Sequence, residues 1–195
     1  MLYQMMGMER FSIDLYEHRE LVDSLYHTMV QRYDELYALA AKSPVEVLQS
    51  ADNITSIVVG EERFRQYCMP CYERHTRSIA GTGKKLAVHL DGRLHSLMGP
   101  IGEASFDIVE AFTPSPTGDV TVAEAREAWP DKALWLNFTS SMHIEPTEAI
   151  KAHTRQLIQE AGTRRGFAIG ITEDIPQRHC VRSLRAIAQV IQEMR

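Results

Sequence analysis

Apolar and polar positions along the chain switch repeatedly between a helical and a strand-like period. Leu21, Leu25, Met29, Leu36 and Leu39 recur at intervals of three, four and seven, which predicts a long amphipathic helix over 17–42. PVEVLQS follows, a short β-branched run after Pro44, and reads as a strand over 45–50. A helical stretch fills 61–80 and ends at GTGKK, since glycines suit the position past a helix. The alternation then repeats. KLAVHL (85–90) is a predicted strand followed by helix 93–103, and DIVEAFT (107–113) one followed by a Pro/Gly loop and helix 121–128. ALWLNFT (133–139) precedes helix 145–161, and GFAIGIT (166–172) precedes helix 180–194. The strands are mostly continuous apolar runs, which marks strands buried on both faces of a parallel sheet covered by helices. No linker or low-complexity segment divides the chain, so residues 1–195 read as one domain.

Five βα units do not close a barrel, because a complete (β/α)8 barrel takes about 250 residues. The chain is either an open doubly wound α/β sheet or the last five units of an eight-stranded barrel. It begins inside what reads as a mid-barrel helix. The expected fold is therefore α/β, a partial TIM (β/α)8-type barrel of about five βα units with the N-terminal units missing. Uncovered sheet edges invite pairing, so a homo-oligomer or a complementing chain is expected. The methionine-rich start (Met1, Met5, Met6, Met8) is apolar and adaptable, suited to covering a sheet edge or a neighbouring subunit.

Composition narrows the classes. With 44% apolar and 24% charged residues the chain is an ordinary globular domain. A net charge of −5 makes nucleic acid and anionic membrane poor partners. No apolar run approaches the roughly 18 residues of a membrane span, and MLYQMMGMER lacks the pattern of a signal peptide. Three cysteines argue against a disulfide framework, so a reduced, cytoplasmic protein is expected.

In a parallel α/β fold the loops after the strand C-termini share one face and build the site. Asp52 and Asn53 follow the first strand, and His89 and Asp91 end the second. Glu110 lies in the third. Asn137, Ser140, Ser141 and His143 follow the fourth, and Glu173 and Asp174 the fifth. His89 and Asp91 are two apart and so point the same way in a strand. With Glu173 they form a candidate metal set, an imidazole and two carboxylates that suits Zn, Mn or Fe and leaves positions open for substrate. The same residues also read as a buried, hydrogen-bonded histidine and an aspartate capping the next helix. Asp52 or Glu110 would serve as acid or base, with Asn137 as a third catalytic candidate.

Several segments carry a family resemblance. ADN at 51–53, FRQYCMPCYERH, AVHLDG, GEASFDIVEAFTPSPTGDVTVAEARE and GFAIGITEDIP occur in an order and spacing that resembles the C-terminal half of the uroporphyrinogen decarboxylase and corrinoid methyltransferase superfamily, over Ala51–Met194. The resemblance implies one of two activities. The decarboxylases are lyases of porphyrin biosynthesis that remove acetate carboxyls from a tetrapyrrole without metal or cofactor. The methyltransferases hold zinc with a His-x-Cys pair and a later cysteine, and the zinc activates a thiol. His89 matches that histidine, Asp91 stands where the first cysteine would be, and Glu173, three residues before Pro176, where the second would be. The resemblance thus implies a divalent metal, zinc ahead of Mn or Fe, and admits a corrinoid. The substrate would be a small molecule or a corrinoid or tetrapyrrole. Carboxylates in place of both thiolates count against thiol activation. The decarboxylase's catalytic aspartate and carboxylate-gripping arginines lie largely in an N-terminal segment not matched here. A polycarboxylate substrate needs several cations, and Asp52 and Glu110 would repel it. The expected function is methyltransferase-like or decarboxylase-like chemistry at a divalent metal. The alternatives are metal-free decarboxylation, or a non-catalytic barrel fragment acting through a partner.

Other residues read as structural. Cys68-Met69-Pro70-Cys71 with His75 could share a helix face as a redox or metal cluster, but no strand precedes it, and small core residues at a helical turn are the plainer reading. His18, His27, His95, His153 and His179 fit solvated or capping roles, and Trp129 and Trp135 read as packing anchors around Pro130-Asp131.

Overall fold

A computed structural model describes residues 2–162, 165–171 and 173–194. Met1 of the apolar start and the expected strand end at Thr172 lie outside the described residues. Five strands, β1 (Val47–Ile54), β2 (Lys85–Leu90), β3 (Ile108–Phe112), β4 (Ala133–Asn137) and β5 (Phe167–Gly170), form one parallel sheet in the order β1-β2-β3-β4-β5. A doubly wound sheet reverses its strand order at a switch point. This order never reverses, which is the progression of barrel staves.

The crossovers run along one face of the sheet. Leu86, Val88 and Leu90 of β2, Val109 and Phe112 of β3, and Leu134 and Leu136 of β4 pack there against Ile101, Val122, Ile150, Leu157 and Ile187. Those partners belong to α6 (Met98–Glu103), α7 (Val122–Ala128), α9 (Thr147–Ala161) and α10 (Gln177–Glu193). The other face, the inside of a barrel, is open: Gln49 and Ala168 are exposed, and Trp135 keeps 39% of its surface in water. The expectation of strands buried on both faces thus holds in the central β2 and β3, where Ala87 and Glu110 are buried, and is corrected toward the sheet's edges. The runs are continuous because inner positions such as Ala87, Ile108 and Trp135 are apolar too. In a closed barrel, strands from the far side fill that interior, and among the described residues no element does so.

Before β1 stand α1 (Leu2–Met6), α2 (Met8–Glu17) and α3 (Arg19–Ala40). The first two were not anticipated as helices. They do cover the end of a sheet edge, since Tyr3 Oη donates to the carbonyls of Asp52 (3.3 Å) and Asn53 (3.1 Å). The predicted helix 61–80 is three pieces: α4 (Ser56–Arg63), a π-helical turn at Phe64–Cys68, and α5 (Met69–Ser78). α3 lies along α5, tied by Arg74 to Asp34 and by Tyr26 Oη to the Tyr67 carbonyl at 2.7 Å.

The predicted helix 93–103 begins with a single 3-10 turn, His95–Leu97. Its free N–H groups are capped by Asp119, whose Oδ1 accepts from Leu94 N (2.7 Å) and His95 N (3.0 Å). The capping role considered for Asp91 thus falls to Asp119. Thr121 and Glu124 form a capping box that starts α7. After β4 a short α8 (Ser140–His143) precedes α9, and α10 begins right after Pro176, three residues earlier than expected. Trp129 is buried and donates its indole N–H to the Met98 carbonyl at 2.8 Å, a packing anchor as read.

Candidate functional site

Two bulges shape the strand ends. The β3 register slips between Glu110 and Phe112, with Ala111 in the left-handed region (φ 57°), and β1 slips between Ser50 and Ile54, with Asn53 at φ 52°. A bulge re-aims side chains at the end of a strand. Gly118 then brings the following loop down onto the rim, for a Cβ there would lie 2.0 Å from the Thr113 carbonyl oxygen and 2.9 Å from that of Gly92.

Two hydrogen-bonded groups result. In the first, His89 and Glu110 are register partners on the inner face, and His89 Nδ1 lies 2.6 Å from Glu110 Oε2. Gln49 Nε2 donates to the same oxygen at 2.8 Å. Glu110 is only 4% exposed, whereas His89 is half-buried. A carboxylate oxygen receiving the Gln49 amide accepts from the imidazole as well, so Nδ1 is the donor in this contact and Nε2 is the ring nitrogen left outside it.

In the second, Thr113 Oγ1 donates to Asp91 Oδ1 (2.8 Å) and receives Asn137 Nδ2 (3.2 Å). Asn137 Nδ2 also reaches Glu173 Oε1 (3.1 Å), and Ser140 N donates to Glu173 Oε2 (2.8 Å). This chain crosses the ends of β2, β3, β4 and β5. Hydrogen bonds, first from the Ser140 side chain and then from its backbone and from Asn137, hold the Glu173 carboxyl below the usual glutamate range, against the opposing effect of burial. Thr113 was not among the expected site residues. Its signal was its place three residues after Glu110 in the same run, masked by the apolar context of EAFT.

The other candidates lie elsewhere. Asp52 accepts Ser50 Oγ at 2.8 Å and lines a cavity beside β1. His143 is 0% exposed, bound through Nδ1 to Ser183 Oγ at 2.6 Å, and burial lowers its pKa. Cys68 and Cys71 are free thiols pushed up to about 12 by burial, far from the thiolate that redox or metal chemistry requires.

The expected metal set was tested against this geometry. His89 turns Nδ1 to Glu110, Asp91 accepts Thr113, and both oxygens of Glu173 already accept. Among the described residues no group of three or more His, Cys, Asp or Glu is placed to hold a metal ion. His89, Asp91 and Glu173 are thus not gathered into one ligand set in this structure, and the chemistry proposed below uses none.

A singly wound parallel sheet with an imidazole–carboxylate pair and a polar chain at its strand ends defines part of an α/β-barrel type of fold. The sequence profile of the uroporphyrinogen decarboxylase (URO-D) family matches residues 1–194, and the chain belongs to that family. No curated protein sequence matches it. Among solved structures, a methyltransferase from Methanosarcina mazei shares the fold at 15% identity with a TM-score of 0.63. The match covers 83% of this chain and 47% of that one, so the chain spans about half the length of the methyltransferase. No helix among the described residues is long and apolar enough to cross a membrane.

Proposed function

We propose that this chain supplies the proton-handling wall of a URO-D-type active site, with His89 as general acid–base and Glu110 as its positioning partner. The observation that carries the reading is the 2.6 Å contact between His89 Nδ1 and Glu110 Oε2 on the open inner face. Glu110 and Gln49 fix the ring, so that Nε2 is the atom offered to substrate. In a decarboxylation, the C–C bond breaks, CO2 leaves, and an Nε2-protonated His89 delivers a proton to the carbon left with the electron pair. In methyl transfer to a thiol, neutral Nε2 takes the thiol proton while sulfur attacks the methyl carbon, and the donor–methyl bond breaks with its electron pair staying on the donor. Asp91 and Glu173, held through Thr113 and Asn137, supply acceptors for substrate hydroxyl or amine groups. Fold likeness to the Methanosarcina methyltransferase and family membership support this pair of reaction classes.

Assays of the full chain for uroporphyrinogen decarboxylation, and for methyl transfer from methylcobalamin to a thiol, test the reading. The expected result is turnover in one of them that falls at least 100-fold in His89→Gln. Turnover that survives His89→Gln, or none in either assay, contradicts it.

A second reading is favoured by the open inner face around Trp135 and Gln49. On that reading the chain is one wall of a barrel completed by further βα units, and turnover depends on adding the polypeptide that carries them.

A further inference from the structure

Apart from the rim lies a half-open cavity of about 570 Å3 between the N-terminal helices and the wall made by β1 and α5. That volume is in the range of small-molecule sites. Its lining is predominantly apolar and aromatic, with Met29, Val30, Leu48 and the rings of Tyr26, Tyr33 and Tyr37 among it. One imidazole breaks this pattern. His75 is 2% exposed, stacks one face on Tyr37 at a centroid distance of 3.4 Å, and sets Nε2 3.4 Å from Cys71 Sγ. Its Nδ1 is buried without a hydrogen-bond partner.

The protonation states follow from burial. It lowers His75 to about 4, so the ring is neutral, and raises Cys71 to about 12, so the thiol keeps its hydrogen. The contact is made either by S–H donating to Nε2, which leaves the ring's hydrogen on Nδ1, or by Nε2–H donating to sulfur, and an acceptor beside Nδ1 selects the first. A buried donor left unpaired is costly, and an acceptor placed in the cavity removes that cost. Charge on the wall selects the acceptor. Asp52 disfavours an anion, and Arg63 is engaged with the Val58 carbonyl at 3.3 Å.

We propose that this cavity binds a neutral, mainly aromatic small molecule whose carbonyl oxygen accepts from His75 Nδ1, with tyrosine rings packing on its flat faces. The cavity meets the other site only at Gln49 and uses neither His89 nor Glu110, so binding is read separately from the reaction assigned to them.

Titration of the full chain with prodan, a neutral naphthyl ketone whose emission shifts to the blue in apolar surroundings, tests the proposal. Saturable one-to-one binding with a blue shift is expected. His75→Phe keeps the ring and its stacking but removes the donor, and is expected to weaken binding about fivefold to tenfold. Ala40→Trp places an indole in the cavity and abolishes binding, as does Tyr33→Trp should either of the other variants fail to give a cooperative melt. Trp135→Ala, on the open sheet face, leaves binding unchanged. Absence of saturable binding by the wild-type chain overturns the proposal. So does binding that His75→Phe and Ala40→Trp both leave intact, or binding lost only in Trp135→Ala.

Discussion

Thr113 Oγ1 stands 2.8 Å from Asp91 Oδ1, and through this one hydroxyl the end of β2 is joined to Asn137 and Glu173 at the far side of the sheet. Thr113 is buried, so removing its hydroxyl takes a donor from the half-buried Asp91 and an acceptor from the buried Asn137 amide. Thr113→Val, nearly equal in shape, is expected to destabilise the chain by about 1–3 kcal/mol, while Thr113→Ser stays within about 1 kcal/mol of wild type. Denaturant unfolding of the two variants checks this, and equal midpoints would show that the hydroxyl carries no weight.

Glu173 gives the rim a pH dependence of definite sign. Its carboxyl is held below the ordinary glutamate value by hydrogen bonds that need the ionised form. The stabilisation is fully present above the unfolded-state value near 4.5 and is lost as pH falls through the lower folded-state value. Thermal melts from neutral pH down to pH 3 should show a steeper acid decline in wild type than in Glu173→Gln. Parallel declines would remove Glu173 from the account.

The bulge at Ala111 predicts a size-dependent response. At φ 57° a β-branched side chain is strongly disfavoured, and the residue is fully buried. Ala111→Val is expected to cost about 2 kcal/mol or more, whereas Ala111→Gly is tolerated because glycine adopts this conformation freely. The chemical-denaturation midpoints rank the two variants, and a neutral Ala111→Val would mean an extended backbone at this position.

Much of the scaffold was legible from the chain. The strands at 85–90 and 133–137 stand out because outward Leu and Val alternate with inner positions of which Ala87, Ala133 and Trp135 are also apolar, and βα spacing then implies parallel order. What stayed hidden depends on contacts between distant segments. The short helices before residue 18 carry little periodicity, and the first of them is placed by Tyr3 reaching the β1 carbonyls. The π-turn at Phe64–Cys68 and the bulge at Ala111 leave no local composition cue. His89, Glu110, Asn137 and Glu173 were recognisable as polar groups at strand ends. Their grouping was not, because the partner of His89 depends on strand register and Asp52 turns toward the cavity.

The ligand test yields a further prediction. With His89 Nδ1 turned to Glu110 and Glu173 held by Asn137 and Ser140, no three-ligand site for added Zn or Mn is assembled among the described residues. Calorimetric titration is expected to give the same isotherm for wild type and His89→Ala. A stoichiometric site lost in His89→Ala would restore the metal reading first drawn from His89, Asp91 and Glu173.

The proton-handling role depends above all on which nitrogen of His89 carries hydrogen, and long-range 15N–1H correlation NMR of the ring reads that directly. At a pH where the ring is neutral, the account predicts the Nδ1–H form in wild type and a shift toward Nε2–H in Glu110→Leu, where the acceptor is gone. An Nε2–H ring in wild type, or a pattern that Glu110→Leu leaves unchanged, would contradict it.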